Sequence, residues 1–511
     1  MVYTGVTEGT KIWIDRKGVA LQGVRMLREP KEGFVAARTA EGWGFLPVLQ
    51  PEENGAGEQS MTEATIHYRY QEPSVLVPSA GGNTLQLSGF DENEDSAPDC
   101  LFFGRLTSPL ITARCLTLLS RVVQSRYTLS PETIAAMHDP IISVGNRRIR
   151  FEGFSGCAGI YARVDVLPGG LDGAFLANGT TNVDFNSLML ASLGGVRQSD
   201  EVILSVGPNE VAVGFESGTV VERKVPLPQR WLKALTSVQA YLAGAEPLAE
   251  LTRVQAIKLF QGLPRGKTRG DFYLSRRASS LALAPMRAPG GIAIGGVNRL
   301  LLLEPLLAYA DSLKVFAHPS GSSTTWQLYF GDLRFSFSLS REPYRGFSGE
   351  GAGLDELAGG LSPELLDAVD NLGRANETFS QEPEEYGFAW EKGFNPAPGL
   401  AAMGLLGFDL DEQAYFCRKL PFKPERLLGL NPRLKNALKL VKKGGTEISY
   451  RPDGGVQGRV PGSGVWHTVV LDGKGDRCTC AWIAKYGSSR GPCKHILAVK
   501  KLVRSSKAFL F

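Results

Sequence analysis

The sequence is short of the features that mark secreted, membrane-spanning or metal-dependent catalytic proteins. It has five histidines and seven cysteines in 511 residues. No apolar run is long enough to cross a bilayer, because the leucine run Leu300 to Leu303 stops at Glu304 and Pro305. The first residues carry neither a basic patch nor an apolar stretch, so no signal peptide is expected. The expectation is a soluble, cytoplasmic protein without a membrane partner. Cys100, Cys115, Cys157 and Cys417 are scattered without ligand-type spacing and read as small apolar core residues.

Catalytic signatures are also missing. Gly262 to Thr268 resembles a phosphate loop but has one residue too few between its glycines. Gly153-Phe-Ser155-Gly-Cys157 and Gly346-Phe-Ser348-Gly-Glu350 lack the last glycine of a nucleophile elbow. His138 has only Asp139 beside it, and His67, His318 and His467 have no visible partner. No catalytic residue and no small-molecule substrate is assigned, and the chain is not expected to be an enzyme.

Composition is that of a globular protein, 43% hydrophobic and 21% charged, and the length suits about two to four domains. The net charge of +4 conceals a split. Residues 418–511 hold 20 Lys plus Arg against 5 Asp plus Glu, a net +15, while residues 1–417 hold 36 against 47, a net −11. A basic tail on an acidic body points to an anionic partner or to the body itself.

Pattern and punctuation predict an α+β, multi-domain chain. Residues 1–90 read as β-rich, with strand-like character around Trp13, Val19 and Ile66 to Gln71. Residues 91–228 hold a helical segment, with a helix start at Ser130-Pro131, and then a β-α-β-β-β unit from Asn182 to Pro226. Residues 229–340 hold two helical stretches, a basic hairpin (Arg265, Lys267, Arg269, Arg276, Arg277) compatible with a winged helix, and a second unit from Ile292 to Leu339. Asn186 and Asn298 are placed to cap the two unit helices. In element order the units resemble the repeat of sliding DNA clamps. Residues 341–417 form an acidic, Gly-rich connector with one helix from Ser362 to Gly373, and residues 418–511 form the basic tail, with a helix near Pro432 to Val441.

The tail carries the one specific motif, Cys478-x-Cys480, twelve residues, then Cys493-x-His495. A strand over Arg477 to Trp482, paired with Val465 to Leu471, sends residues two apart to the same face, so Cys478 and Cys480 converge. Helical residues two apart diverge, so Cys493 must precede a helix and His495 must lie in its first turn, a boundary that Gly491-Pro492 suits. Three thiolates and an imidazole close a tetrahedral shell around Zn2+ with no open position, which is a structural site.

This pattern resembles the SWIM-type zinc finger, C-x-C-x(n)-C-x-H, and the resemblance implies that Cys478, Cys480, Cys493 and His495 are the ligands of the zinc ion. Such fingers are proposed to bind DNA or proteins. The segments Gly179 to Asn186 and Val221 to Pro228 resemble those of bacterial stand-alone SWIM proteins, some of which accompany MoxR-type ATPases and von Willebrand A-domain proteins. The resemblance therefore implies a zinc-dependent nucleic-acid-binding protein, with an adaptor subunit of an ATPase-linked assembly as the alternative. On the finger helix, His495, Val499 and Leu502 share one stripe at about 100° per residue, and Lys494, Leu497, Lys501 and Arg504 fall opposite. With Arg477, Lys485 and Arg490, the cations Lys494, Lys501 and Arg504 are the candidate phosphate contacts.

Overall fold

In the computed structural model, residues 1–99 are described only as the backbones of eight strands, and the chain from residue 100 is described apart from 126–139, 343–345, 349–353, 360–378, 380–394, 419–430, 509–511 and shorter interruptions. Side chains of 215–230 and 504–508 also lie outside the described set. So do Ile66 to Gln71, the starts at Ser130 and Ser362, His67, His138 and Asn186.

The N-terminal strands β1 (Thr4–Thr7), β2 (Thr10–Asp15), β3 (Gly18–Leu21), β4 (Val24–Met26), β5 (Phe34–Thr39) and β6 (Gly42–Pro47) form an antiparallel meander, and β7 (Val75–Ser79) pairs with β8 (Gly82–Gln86). Trp13 lies in β2 and Val19 in β3.

The body repeats one motif. β9 (Phe102–Leu106), α1 (Pro109–Gln124), β10 (Ile141–Gly145), β11 (Arg148–Phe154) and β12 (Ile160–Val166) form the first β-α-β-β-β unit. After β13 (Leu171–Phe175) comes the second: β14 (Gly179–Asn182), α2 (Ser187–Gly195), β15 (Ile203–Val206), β16 (Glu210–Phe215) and β17 (Gly218–Arg223). Helix α3 (Gln229–Ala243) leads to β18 (Glu246–Thr252), α4 (Arg253–Gln261), β19 (Asp271–Arg277) and β20 (Ser280–Ala284). The last unit is β21 (Ile292–Gly295), a 3-10 turn (Val297–Leu303) running into α5 (Glu304–Leu307), then β22 (Ser312–Ala317), β23 (Ser323–Tyr329) and β24 (Leu333–Ser340). Both units predicted from sequence have the expected element order, and one further unit, β9 to β12, and a shorter β-α-β-β segment, β18 to β20, accompany them.

Neighbouring units exchange first strands. β9 pairs with β15 while β14 pairs with β10, and β18 pairs with β22 while β21 pairs with β19. β12 and β24 then pair from Ile160↔Leu339 to Val166↔Leu333 and join the halves into one eight-stranded antiparallel sheet, β14-β10-β11-β12-β24-β23-β22-β18.

Three expectations change. The basic hairpin is β19–β20 of a three-stranded sheet, and β18 stands between the two helices before it, so no winged helix forms. Asn298 caps nothing: Gly296, in the left-handed conformation at φ 58°, precedes the 3-10 turn, and Pro305 sits in the first turn of α5. The last part of the acidic connector is structured and packs on the body.

Alternation explains that packing. Ile160, Ala162, Val164 and Val166 of β12 face the large apolar core on the side of α1 and α4. Tyr161, Arg163 and Asp165 face the other way and are equally buried. Their cover is α3 and the hairpin β25 (Leu406–Asp409)–β26 (Ala414–Cys417); a short helix α6 (Leu354–Gly359) packs against α7 (Ala397–Ala402), which lies on α3 and β25. The hairpin is bound through charge. Arg334 Nη2 donates to Asp409 at 2.7 Å, Arg163 Nη1 donates to the Phe408 carbonyl at 2.8 Å, and Arg418 pairs with Glu152. Burial alone would raise the Asp409 pKa, but Arg163 and Arg334 hold it well below the usual carboxylate range.

Candidate metal centre

The first helix described in the tail is α8 (Pro432–Lys443), where the Asn431 side chain accepts from the Arg433 N–H at 3.0 Å, Pro432 takes the first turn and Gly444 ends the helix at φ 76°. Four antiparallel strands follow: β27 (Glu447–Tyr450), β28 (Val456–Pro461), β29 (Trp466–Leu471) and β30 (Arg477–Cys478). Val469 pairs with Cys478, and the ladder runs one residue further as the Thr479 N–H donates to the Thr468 carbonyl at 3.1 Å. The strand is shorter than expected. Cys480 is still extended, at φ −79° and ψ 155°, but it caps a short helix α9 (Ala481–Tyr486) that the sequence reading missed. Extended geometry from Cys478 to Cys480 is what the convergence of the two thiols requires.

Cys493 precedes α10 (Lys494–Ala508), and His495 lies in its first turn, as the spacing predicts. All four side chains are buried, and their ligand atoms lie within 4.8 Å of one another. His495 Nδ1 is 3.7 Å from Cys478 Sγ and 3.9 Å from Cys493 Sγ. A tetrahedral zinc ion with ordinary bond lengths separates two sulfurs by about 3.8 Å and sulfur from nitrogen by about 3.6 Å. The donor set and its spacing fit that ion. The Cys478 thiol donates to Cys493, and His495 and the Ile496 N–H support the same sulfur, so the Cys493 pKa falls to about 4. That hydrogen bond, with burial, pushes the Cys478 thiol up. These contacts favour the thiolate form of Cys493 at the helix start.

The surroundings are tight. A Cβ on Gly458 would meet Val499 Cγ2 at 2.5 Å, so α10 lies directly on β28. The His467 ring packs against His495 with centroids 4.2 Å apart, and burial followed by the His495 charge lowers the His467 pKa. His495 Nε2 is buried without a hydrogen-bond partner among the described residues.

Residues 467–503 match the SWIM zinc finger family. The match covers the finger alone. Among curated proteins, none matches the chain. Two solved structures align over 47% of this chain and 98% of their own. One is the Proliferating Cellular Nuclear Antigen from Entamoeba histolytica, 10% identical with a TM-score of 0.32. The other is a PCNA2–PCNA3 complex from Sulfolobus tokodaii, 9% identical with a TM-score of 0.33. The repeat in the body rests on its own strand order and pairing.

The SWIM finger does not stand free. Leu497 and Ala498, on the side of α10 away from the metal cluster, are fully buried against Leu354 of α6 and Leu434 and Ala437 of α8. The opposite face of the helix is therefore an interior contact, and Leu497 is not presented to a partner. Lys500 is bridged to Asp355 and Asp476. Lys494 and Lys501 are half-buried at its margins, and Arg504 belongs to α10 by its backbone. Arg477 is exposed and paired with Asp472. Lys485 and Arg490 gather at one ring, with Lys485 Nζ 5.2 Å and the Arg490 guanidinium 4.0 Å from the Tyr486 centroid.

Arg433 is the functional neighbour that the sequence reading missed. Its Nη1 donates to the carbonyls of Arg490, Gly491 and Pro492 at 2.8, 3.2 and 2.7 Å, and its guanidinium lies 4.4 Å from the Trp482 ring centroid. It clamps the loop that delivers Cys493 onto the helix that follows Cys480. Its position one residue after a Pro helix start carries no signal of this; only the fold brings it 57 residues along the chain.

Proposed function

We propose that the protein is a binding protein rather than an enzyme, that the SWIM finger holds one structural Zn2+, and that the basic module built around it binds nucleic acid. The closed donor set carries the first part: three thiols and one imidazole, all buried, leave no position for substrate or water. Cys478, Cys480 and Cys493 would bind through Sγ and His495 through Nδ1. The ion would supply folding free energy to a small four-stranded sheet and two helices whose core is otherwise thin.

The net +15 of residues 418–511 supports the second part, because phosphates supply a sequence-independent partner for such charge. An adaptor contact through the finger helix is disfavoured, since Leu497 is interior. Native mass spectrometry of the purified chain should find one zinc. Fluorescence anisotropy with labelled DNA and RNA should show binding that weakens steeply with salt. A metal-free, folded finger, or an absence of nucleic-acid binding at low salt, would overturn the corresponding part.

A further inference from the structure

The cations that the fold leaves most available are not those of the finger helix. Helix α8, sequence PRLKNALKLVKK, contains no acidic residue. Leu434 and Ala437 bury its apolar side against α10. Lys435, Lys439, Lys442 and Lys443 are all exposed and fall within a sector of about 100°. None of the four has an acidic partner among the described residues. Lys442 and Lys443 suit the C-terminal end of a helix. Lys435 does not: it stands in the first turn, where the helix dipole disfavours a cation, and Lys439 is mid-helix. Helix stability alone does not account for the row.

An exposed aromatic lies on the sheet that follows the helix. At the C-terminal end of α8 a Cβ on Gly445 would lie 3.8 Å from Pro461 Cγ, and Pro461 pairs with Trp466 across β28 and β29. Trp466 is 50% exposed, on the sheet face turned away from α10. The Arg459 guanidinium, on that same face, lies 5.1 Å from its ring centroid and is also paired with Glu447 of β27 at 3.3 Å.

We propose that Lys435, Lys439, Lys442 and Lys443 of α8, with Trp466 and Arg459 at their end, form a surface for single-stranded nucleic acid. The lysines track the phosphates and the indole stacks on an unpaired base. A row of cations leading to an aromatic platform is the physical requirement for holding a single strand without reading its sequence. The alternative anionic partner, a lipid surface, needs an apolar helix face free to enter the bilayer. That face of α8 is already buried against the finger. This inference rests on the nucleic-acid reading above and places it on a surface distinct from Lys494 and Lys501.

The test uses the full chain with its zinc and a labelled oligo(dT) of about 20 nucleotides. Zinc content and thermal melting confirm that each variant folds. Changing Lys435, Lys439 and Lys442 together to Gln should weaken binding at least about tenfold and flatten the salt slope by about 2. Trp466→Ala should weaken oligo(dT) binding about tenfold with little effect on duplex binding, and Trp466→Phe should restore it. Loss of binding on Lys494→Glu with Lys501→Glu, with the α8 variant binding normally, would overturn this surface and leave the nucleic-acid reading standing. Binding to phosphatidylserine vesicles with none to oligo(dT) or duplex would overturn both. Duplex binding indifferent to Trp466 and stronger than oligo(dT) binding would overturn the stacking platform.

Discussion

Replacing Arg433 by Ala tests whether the metal cluster is assembled before the ion arrives. Arg433 gives three hydrogen bonds from one nitrogen to consecutive carbonyls, at 2.7 to 3.2 Å, and covers the Trp482 ring. A hydrogen bond from a charged donor contributes about 1.5–3 kcal/mol. The three share one nitrogen, and the carbonyl of half-buried Arg490 can find water instead, so they do not add. The loop from Arg490 to Pro492 then loses its anchor, and Cys493 must be ordered by the ion alone. Outer-shell residues of this kind change metal affinity by about 10–100-fold, which corresponds to about 1.4–2.7 kcal/mol. Competition against a chromophoric chelator measures this directly. Arg433→Lys should fall between wild type and Ala, because an ammonium cannot bridge the carbonyls and cover the ring together. Arg433→Met keeps the volume and should behave like Ala. Equal zinc affinity in all four proteins would refute the reasoning and show that the ion orders the loop unaided.

Other outcomes follow from the same geometry. Cys480→Ser and His495→Ala should each abolish stoichiometric zinc, and a chelator should release on the order of 10 kcal/mol of folding free energy from the tail, seen as loss of hydrogen-exchange protection in residues 447–503 while β9–β24 stay protected. Leu497→Asp should unfold the finger helix through a buried charge, costing several kcal/mol in thermal melts; a soluble variant with normal stability would place Leu497 outside the core. Asp409→Asn should cost about 1.5–3 kcal/mol, because Arg334 loses its shortest charged hydrogen bond in a buried site while Asp165 still faces both Arg163 and Arg334. The folded pKa values of Asp409 and Glu152 lie below their ordinary values. Their contribution is therefore full above the unfolded carboxylate range and is lost as pH falls from about 4 toward the lower folded values. Hydrogen exchange in Leu406–Cys417 should rise in that acid window and not between pH 6 and 8.

The cluster of Cys478, Cys480, Cys493 and His495 was legible because its argument is local. C-x-C needs only extended backbone, and C-x-H needs only a helix start, so neither depends on the rest of the fold. The two predicted β-α-β-β-β units were legible for a similar reason, since turn residues separate their strands, as at Gly207-Pro208-Asn209 and Ser217-Gly218 in the unit of residues 182–226. The unit β9 to β12 and the segment β18 to β20 were hidden. β9 is five residues directly ahead of α1, and its apolar run merges with the helix pattern. β18, EPLAELT, has helix-favouring composition and becomes a strand only by pairing with β22. The hairpin β25–β26 was unreadable because its anchors are Arg163, Arg334 and Glu152, distant in sequence and indistinguishable from surface charges until the sheet buries them. The opposite face of the finger helix was misassigned for a related cause. Periodicity places Leu497 away from the zinc, but it cannot say whether that side meets water or a second core.

That second core decides where a partner can bind. A finger helix with one free side would present Lys494, Leu497, Lys501 and Arg504 together. Here α10 is used on both sides, by the metal cluster through His495, Ile496 and Val499 and by α8 and α6 through Leu497 and Ala498. Charge pairing points the same way. Among the described residues, the ion pairs that join the tail to the body are Arg418 with Glu152 and Lys500 with Asp355, so these contacts leave most of the tail's excess charge unanswered by the acidic body. Because α10 is enclosed, that excess is displayed on the elements wrapped around it: the α8 lysines, Arg459 beside Trp466, and Lys485 with Arg490 at Tyr486. On the function proposed above, zinc would act on recognition indirectly, by holding α10 as the post against which α8 presents its lysines, and zinc loss should then weaken nucleic-acid binding.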